Sequence, residues 1–172
     1  MRRLHTPLRP EHISSLQAGD HILLSGSVYT ARDQAHKKLV SLIKKKKRLP
    51  IELENAVIYY CGPTPEPDGK IIGSCGPTTA SRMDSFSPVL LAAGHRVMIG
   101  KGERSEAVRA AVRKYRGLYC VAYGGCGAYL QQHVINKEDI AFKELGPEAI
   151  YRLEVKDFPL IIGIDSRGMC LQ

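Results

Sequence analysis

The stretch GDHILLSGSVYTARDQAHKKL, residues 19–39, sets a buried strand directly before an amphipathic helix. Asp20-His21-Ile22-Leu23-Leu24-Ser25-Gly26 reads as an apolar strand that ends at its glycine. Thr30 then stands as a helix N-cap, and Asp33 completes the spacing of a capping box. From Ala31 onward, Ala35, Leu39, Val40, Leu42 and Ile43 recur at helical spacing, which predicts a helix ending near Pro50.

Outward from this unit, Ala56–Cys61 and Lys70–Cys75 read as two further strands, joined through the turn chemistry of Pro67-Asp68-Gly69. Each runs into the same tripeptide, Gly62-Pro63-Thr64 and Gly76-Pro77-Thr78. A helix is expected from about Thr79 to Ala93, stopping at Gly94, and Val97–Gly100 reads as a short strand leading to Lys101. Helix 105–114, strand 118–122 and the glycine-rich turn Gly124-Gly125-Cys126-Gly127 follow. Ile150–Val155 and Leu160–Asp165 close the chain as strands broken at Asp157-Phe158-Pro159. Strands and helices mix without strict alternation. The expectation is an α/β fold, a mixed-sheet layered domain, with residues 1–172 forming a single domain.

The chain has 172 residues, 44% of them hydrophobic and 24% charged, enough for one domain with a real core. No apolar run approaches the ~18 residues of a bilayer span, and MRRLHTPLRPEHI lacks the apolar centre of a signal peptide, so a cytoplasmic protein is expected. The five cysteines (Cys61, Cys75, Cys120, Cys126, Cys170) contain no C-x-x-C pair. That spacing opposes a disulfide framework and a self-contained zinc site, and the cysteines read as small buried hydrophobes. No metal ligands are assigned to this chain. The net charge of +8 suits nucleic acid, an anionic substrate or an acidic partner. Much of it sits in Lys44-Lys45-Lys46-Lys47-Arg48, where a solvated helix end explains it. No aromatics interleave with this run, which disfavours a stacking platform for single strands.

Three strand-to-turn junctions carry polar residues that a core does not require. At the first, Arg32 and His36 share one face of the expected helix near its N-terminus, where an arginine adds its planar fork to an end already favourable to anions. The plain alternative makes Arg32 a surface cation and pairs Asp33 with Lys37 along the helix. At the second, Pro77 fits the start of a helix, the Thr78 and Thr79 hydroxyls stand at its entrance, and Arg82 lies one turn beyond Thr78. The plain alternative there is an over-provided N-cap. The third is Gly100-Lys101-Gly102, which lacks the spacing of a Walker phosphate loop. Two arginines and a lysine at such junctions suit a small dianion with two carboxylates, and could stabilise charge that builds on a carboxylate when a neighbouring C–H is deprotonated.

The segments LHTPL, GDHILLSGSVYTARDQAHKKL, YYCGPTPEPDGKIIGSCGPTTASRMD, GKG, YGGCGAYL and EVKDFPLIIGIDSRG occur in one order along nearly the whole chain. This set resembles the β subunit, or C-terminal domain, of class I (iron–sulfur) fumarases and tartrate dehydratases. DFP leans toward the fumarases. The resemblance implies a swivelling β/β/α domain and hydration of fumarate to malate. It further implies a larger α subunit that holds a 4Fe-4S cluster through its own cysteines, in an assembly with two copies of each subunit. It also implies that Arg32, Arg82 and Lys101 contact substrate carboxylates and that Thr78 is the base. A threonine hydroxyl needs an activating neighbour for that role. Asp33 and Asp84 read as caps or as partners that hold the arginines, and Thr79 as a supporting residue; His36 reads as helix packing or as orienting Arg32, ahead of the alternative of a proton carrier. Cys126-Gly127-Ala128-Tyr129 and Ala80-Ser81 depart from the family's usual residues without removing a proposed functional one.

Other readings remain open at this stage. They are the tartrate dehydratase β subunit, a basic module for nucleic acid or an acidic partner, and a phosphate-binding domain using the two glycine turns.

Overall fold

The computed structural model describes residues 1–171. Seven strands and the helices between them form a mixed α/β fold. The strands are β1 (Arg2–His5), β2 (His21–Thr30), β3 (Val57–Tyr59), β4 (Val97–Gly100), β5 (Leu118–Val121), β6 (Val134–Ala141) and β7 (Ile150–Ile164). The α-helices are α1 (Pro10–Ser14), α2 (Asp33–Lys44), α3 (Ser87–Ala92), α4 (Glu106–Tyr115) and α5 (Gly127–Gln131), with short 3-10 turns at Leu53–Asn55, Ala80–Met83 and Lys143–Glu148.

β1 through β5 lie side by side and parallel. β7 runs antiparallel to β5 and β6 on one edge and to β2 on the other. The pairing β2–β3–β4–β5–β7–β2 therefore closes on itself, and β1 and β6 lie outside the closed ring, each with one neighbour.

Alternation along the strands divides the core in two. Ile22, Leu24, Val28, Val57, Tyr59, Val97, Ile99, Leu118 and Cys120 point to one cluster with Phe158 and Leu160. Ile58, Tyr60, Met98 and Tyr119 point to the other, where α2, α3 and α4 cover them with Ala35, Leu39, Leu90, Leu91, Val108 and Val112. Each fully buried leucine or isoleucine of this kind contributes about 1.5–3 kcal/mol of transfer free energy.

Several sequence expectations change. The strand beginning at Asp20 does not stop at Gly26. Gly26 has φ 102° and sits at a register shift in the pairing of β2 with β7, so the strand continues through a bulge to Thr30. Thr30 does not cap α2. Its Oγ1 donates to the Ala149 carbonyl and accepts from the Tyr151 amide, tying β2 to β7, and Arg32 takes the N-cap position. Residues 70–75 form no strand, and the helix expected over 79–93 divides into the 3-10 turn at Ala80–Met83 and α3. Asp157-Phe158-Pro159 bends β7 without ending it. Asp157 adopts φ 49°, its amide donates to Ser25 Oγ, and beyond it the strand changes neighbours from β6 to β5. β1, β6 and α5 carry no signal that the patterns above recognised.

Candidate functional site

The first junction folds around the N-terminus of α2. Arg32 keeps an extended backbone, and its carbonyl accepts from both the His36 amide and His36 Nδ1, each at 2.9 Å. Asp33, the first helical residue, places a carboxylate where the dipole favours it. The carboxylate does not pair with Lys37 as the helical spacing suggested. Its Oδ1 accepts from Arg82 Nε at 2.9 Å, and its Oδ2 lies 3.8 Å from Arg32 Nε. On the other side of Arg32, Glu148 Oε1 lies 3.6 Å from the same Nε. The order is thus Arg82, Asp33, Arg32, Glu148, with alternating charge. The arginine side chain also lies across Gly62, where a Cβ would meet its Cδ and Nη1 at 2.9 Å. Glycine is needed there because the arginine takes the space.

The second and third junctions join through backbone. The Thr78 amide donates to the Tyr60 carbonyl at 2.6 Å, the Lys101 amide donates to the Thr78 carbonyl at 3.3 Å, and the Ala80 amide donates to the Lys101 carbonyl at 2.8 Å. Thr79 and Lys101 thereby form an isolated parallel bridge that extends the sheet past the ends of β3 and β4. Thr78 is half-buried and Thr79 exposed, and Thr79 makes no side-chain cap bond. The Lys101 side chain runs beside Gly124, and among the described residues it forms no ion pair. Gly127 approaches Gly76 closely enough that a Cβ would lie 2.9 Å from the Gly76 nitrogen, and its carbonyl accepts from the Cys75 amide. That packing holds the Gly76-Pro77-Thr78 turn from behind.

Arg32, Asp33 and Arg82 are therefore in one contact set, Thr78, Thr79 and Lys101 in a second, and the 78–82 segment belongs to both. Asp84 does hold an arginine, but the arginine is Arg104, whose Nε donates to Asp84 Oδ1 at 2.7 Å. Neither Arg104 nor Glu148 stood out in the sequence. A buried arginine before a helix cap and a glutamate after Gly146-Pro147 have no motif, and only their contacts identify them.

His36 is fully buried, packed against Tyr60 with ring centroids 5.2 Å apart. Burial lowers its pKa to about 4, so it is neutral at pH 7 and donates from Nδ1 to Arg32. It orients the arginine's backbone. Burial likewise pushes the Cys75 and Cys120 thiols up to about 12 and raises Cys61, which keeps all three protonated, while Cys126 is exposed. Among the described residues no three His, Cys, Asp or Glu side chains are grouped to hold a metal.

The two junctions thus bring Arg32 and Arg82 together with the carboxylates of Asp33 and Glu148, on a mixed α/β scaffold. Residues 2–171 match the family model described as Fumarase C-terminus, and the chain belongs to that family. It is 42% identical to the anaerobic class I fumarate hydratase of Escherichia coli K12, over 91% of this chain and 29% of that protein. It is 39% identical to mitochondrial fumarate hydratase 1 of Leishmania major, over 98% of this chain and 31% of that protein. It is 32% identical to the L(+)-tartrate dehydratase subunit beta of E. coli K12, over 96% and 83% respectively. The chain thus spans under a third of the fumarate hydratases and most of the tartrate dehydratase subunit.

Proposed function

We propose that this chain is the β subunit of an iron–sulfur hydro-lyase that interconverts fumarate and malate, acting with a cluster-bearing α subunit. The observation that carries the reading is the continuity of the Thr78–Arg82 segment with both Lys101 and the Asp33–Arg32 pair. It lets three cations address one small dianion.

In this reading Arg32 and Arg82 are held in place by Asp33 and Glu148, and present their remaining N–H groups to the substrate carboxylates. Lys101, free of an ion pair among the described residues, supplies uncompensated positive charge. In the malate-to-fumarate direction Thr78, having first given its own hydroxyl proton to solvent, takes the proton from the carbon beside one carboxylate as an alkoxide. The electron pair moves toward that carboxylate, where the cations stabilise it, and then forms the C=C bond as the hydroxyl on the neighbouring carbon departs as hydroxide, which the α subunit's cluster would accept as a Lewis acid. The Lys101 amide donates to the Thr78 carbonyl, and a lysine ammonium brought to the Thr78 hydroxyl would favour the deprotonated threonine.

The cluster belongs to the partner in this proposal, since among the described residues no three His, Cys, Asp or Glu side chains are grouped to hold a metal. The β subunit works as one swivelling β/β/α domain in the cytoplasm, in an assembly of two α and two β subunits. Among the described residues no helix is long and apolar enough to cross a membrane. The similarity to a separate tartrate dehydratase subunit favours L(+)-tartrate as the second candidate substrate.

The test is co-purification with the cluster-bearing partner under anaerobic conditions, followed by assays on fumarate and L(+)-tartrate. Arg82→Ala is expected to lower kcat/KM by about 100-fold or more. Activity from this chain alone, or wild-type activity in Arg82→Ala, would overturn the proposal. Tight, salt-sensitive binding of DNA or RNA would instead support a basic module.

A further inference from the structure

The Arg104 side chain is buried, with 0% exposure. Every face of its guanidinium is used. Nε donates to Asp84 Oδ1 at 2.7 Å, Nη2 to Ser87 Oγ at 2.6 Å, and Nη1 to the Tyr60 hydroxyl at 3.4 Å. The group lies over the Tyr60 and Tyr119 rings, 5.4 and 5.0 Å from their centroids. Asp84 Oδ2 accepts from the Ser105 amide at 2.7 Å, and the Tyr119 hydroxyl donates to the Gly102 carbonyl at 2.8 Å. The turn from Lys101 to Ser105 is therefore fastened at Gly102, at Arg104 and at Ser105. Its first residue is already bridged to Thr79.

Helix capping does not explain this arrangement, because Ser105 Oγ itself accepts from the Val108 amide and caps α4. Packing alone does not explain it either, since apolar residues of similar volume often serve a core as well as a buried ion pair. What the ion pair adds is direction. It joins the turn that carries Lys101 to the segment that carries Thr78 and Arg82. It also neutralises itself, so it uses no charge from Lys101 or Arg82.

We propose that Arg104 is a positioning residue for the carboxylate grip, locking the Lys101 turn to the Thr78–Asp84 segment through Asp84 so that Lys101 and Arg82 meet the same ligand. This rests on the site reading above. Arg104 does not touch the substrate and acts through the backbone it fastens.

Two measurements test it. In the full chain, Arg104→Lys is expected to speed amide hydrogen exchange at Ala80, Lys101 and Ser105 by about tenfold, while the Leu23 and Leu24 amides of β2 keep their protection. Unchanged exchange at the three sites, or equal acceleration everywhere, overturns the proposal. In the assembled enzyme, Arg104→Lys is expected to raise KM for fumarate about tenfold with a smaller change in kcat. Added to Lys101→Ala, it should cost nothing further. Losses that multiply would mean that Arg104 does not act through Lys101, and also overturn it. Asp84→Asn leaves Arg104 in its aromatic sandwich but removes the carboxylate, and should reproduce both results if Arg104→Lys fails to fold. If the wild-type assembly turns over neither fumarate nor tartrate while the exchange pattern appears, the activity reading falls and the positioning role stands.

Discussion

Arg82 Nε donates to Asp33 Oδ1 at 2.9 Å, and this bond joins the 3-10 turn after Thr79 to the first residue of α2, 49 positions away in the chain. Arg82 is half exposed, so solvent screens the pair and it adds little to stability. Its value is orientation. A side chain tethered at Nε has its terminal nitrogens free for a ligand.

Asp33→Asn tests that tether. The substitution should change unfolding free energy by less than about 1 kcal/mol. In the assembled enzyme it should raise KM for the dicarboxylate roughly fivefold to tenfold, with a smaller effect on kcat. Steady-state kinetics beside thermal denaturation separates the two. An unchanged KM would mean that Asp33 does not orient the arginines.

Gly62→Ala probes Arg32 without altering a charge. The new Cβ would meet Arg32 Cδ and Nη1 at 2.9 Å and the Pro147 carbonyl at 3.1 Å. A flexible side chain can yield, so the fold should survive at a cost of about 1–2 kcal/mol. The displaced guanidinium should lower kcat/KM about tenfold. Full activity with a displaced Arg32 would remove Arg32 from the site.

Gly127→Ala should be worse for stability. Its Cβ would lie 2.2 Å from Ser74 Oγ and 2.9 Å from the Gly76 backbone nitrogen, which cannot move without the Thr78 turn. A loss of about 1–3 kcal/mol in urea unfolding is expected, together with reduced turnover. Unaltered stability would show that the Gly76–Gly127 approach is looser than the geometry requires.

Stability should fall with acidification below pH 6.5. Burial lowers His36 to about 4 and His95 to about 3, whereas both titrate near 6.5 when unfolded. The unfolded chain therefore binds more protons between those limits. The contribution is fully present above pH 6.5 and falls as pH drops toward 4, by about 1.4 kcal/mol per pH unit for each histidine. Urea unfolding from pH 7 to 4.5 measures the slope, and His36→Gln should roughly halve it. An unchanged slope in that variant would place the proton uptake elsewhere.

Several elements were legible because their signals are local. Val97–Gly100 alternates between two apolar faces and is β4; the helix expected over 105–114 is α4, with Ser105 as its cap; and the 31–43 periodicity gives α2 its buried stripe, although the helix begins two residues later. The failures share a cause. Thr30, Gly26 and Asp157 carry local signals for a cap, a strand end and a break, but each is used by β7 as it passes between β2 and its two other neighbours. Parallel pairing of β2 through β5 was obscured because residues 60–79 hold no regular structure where a strand was expected.

The sequence by itself determined the cationic residue types at three junctions, the apolar patterns of the main strands and helices, and, through its ordered motifs, the resemblance to one family. Chain-local chemistry sufficed for these, since caps, periodicity and turn residues act over a few positions. Only the tertiary structure decided how those residues group. It gave Asp33 to Arg82 and not to Lys37, Asp84 to Arg104, Glu148 to Arg32, and Thr79 to Lys101. The reason is that ion pairs and close backbone approaches depend on distance in space, and folding brings together residues far apart in the chain, as it does for Arg32 and Glu148.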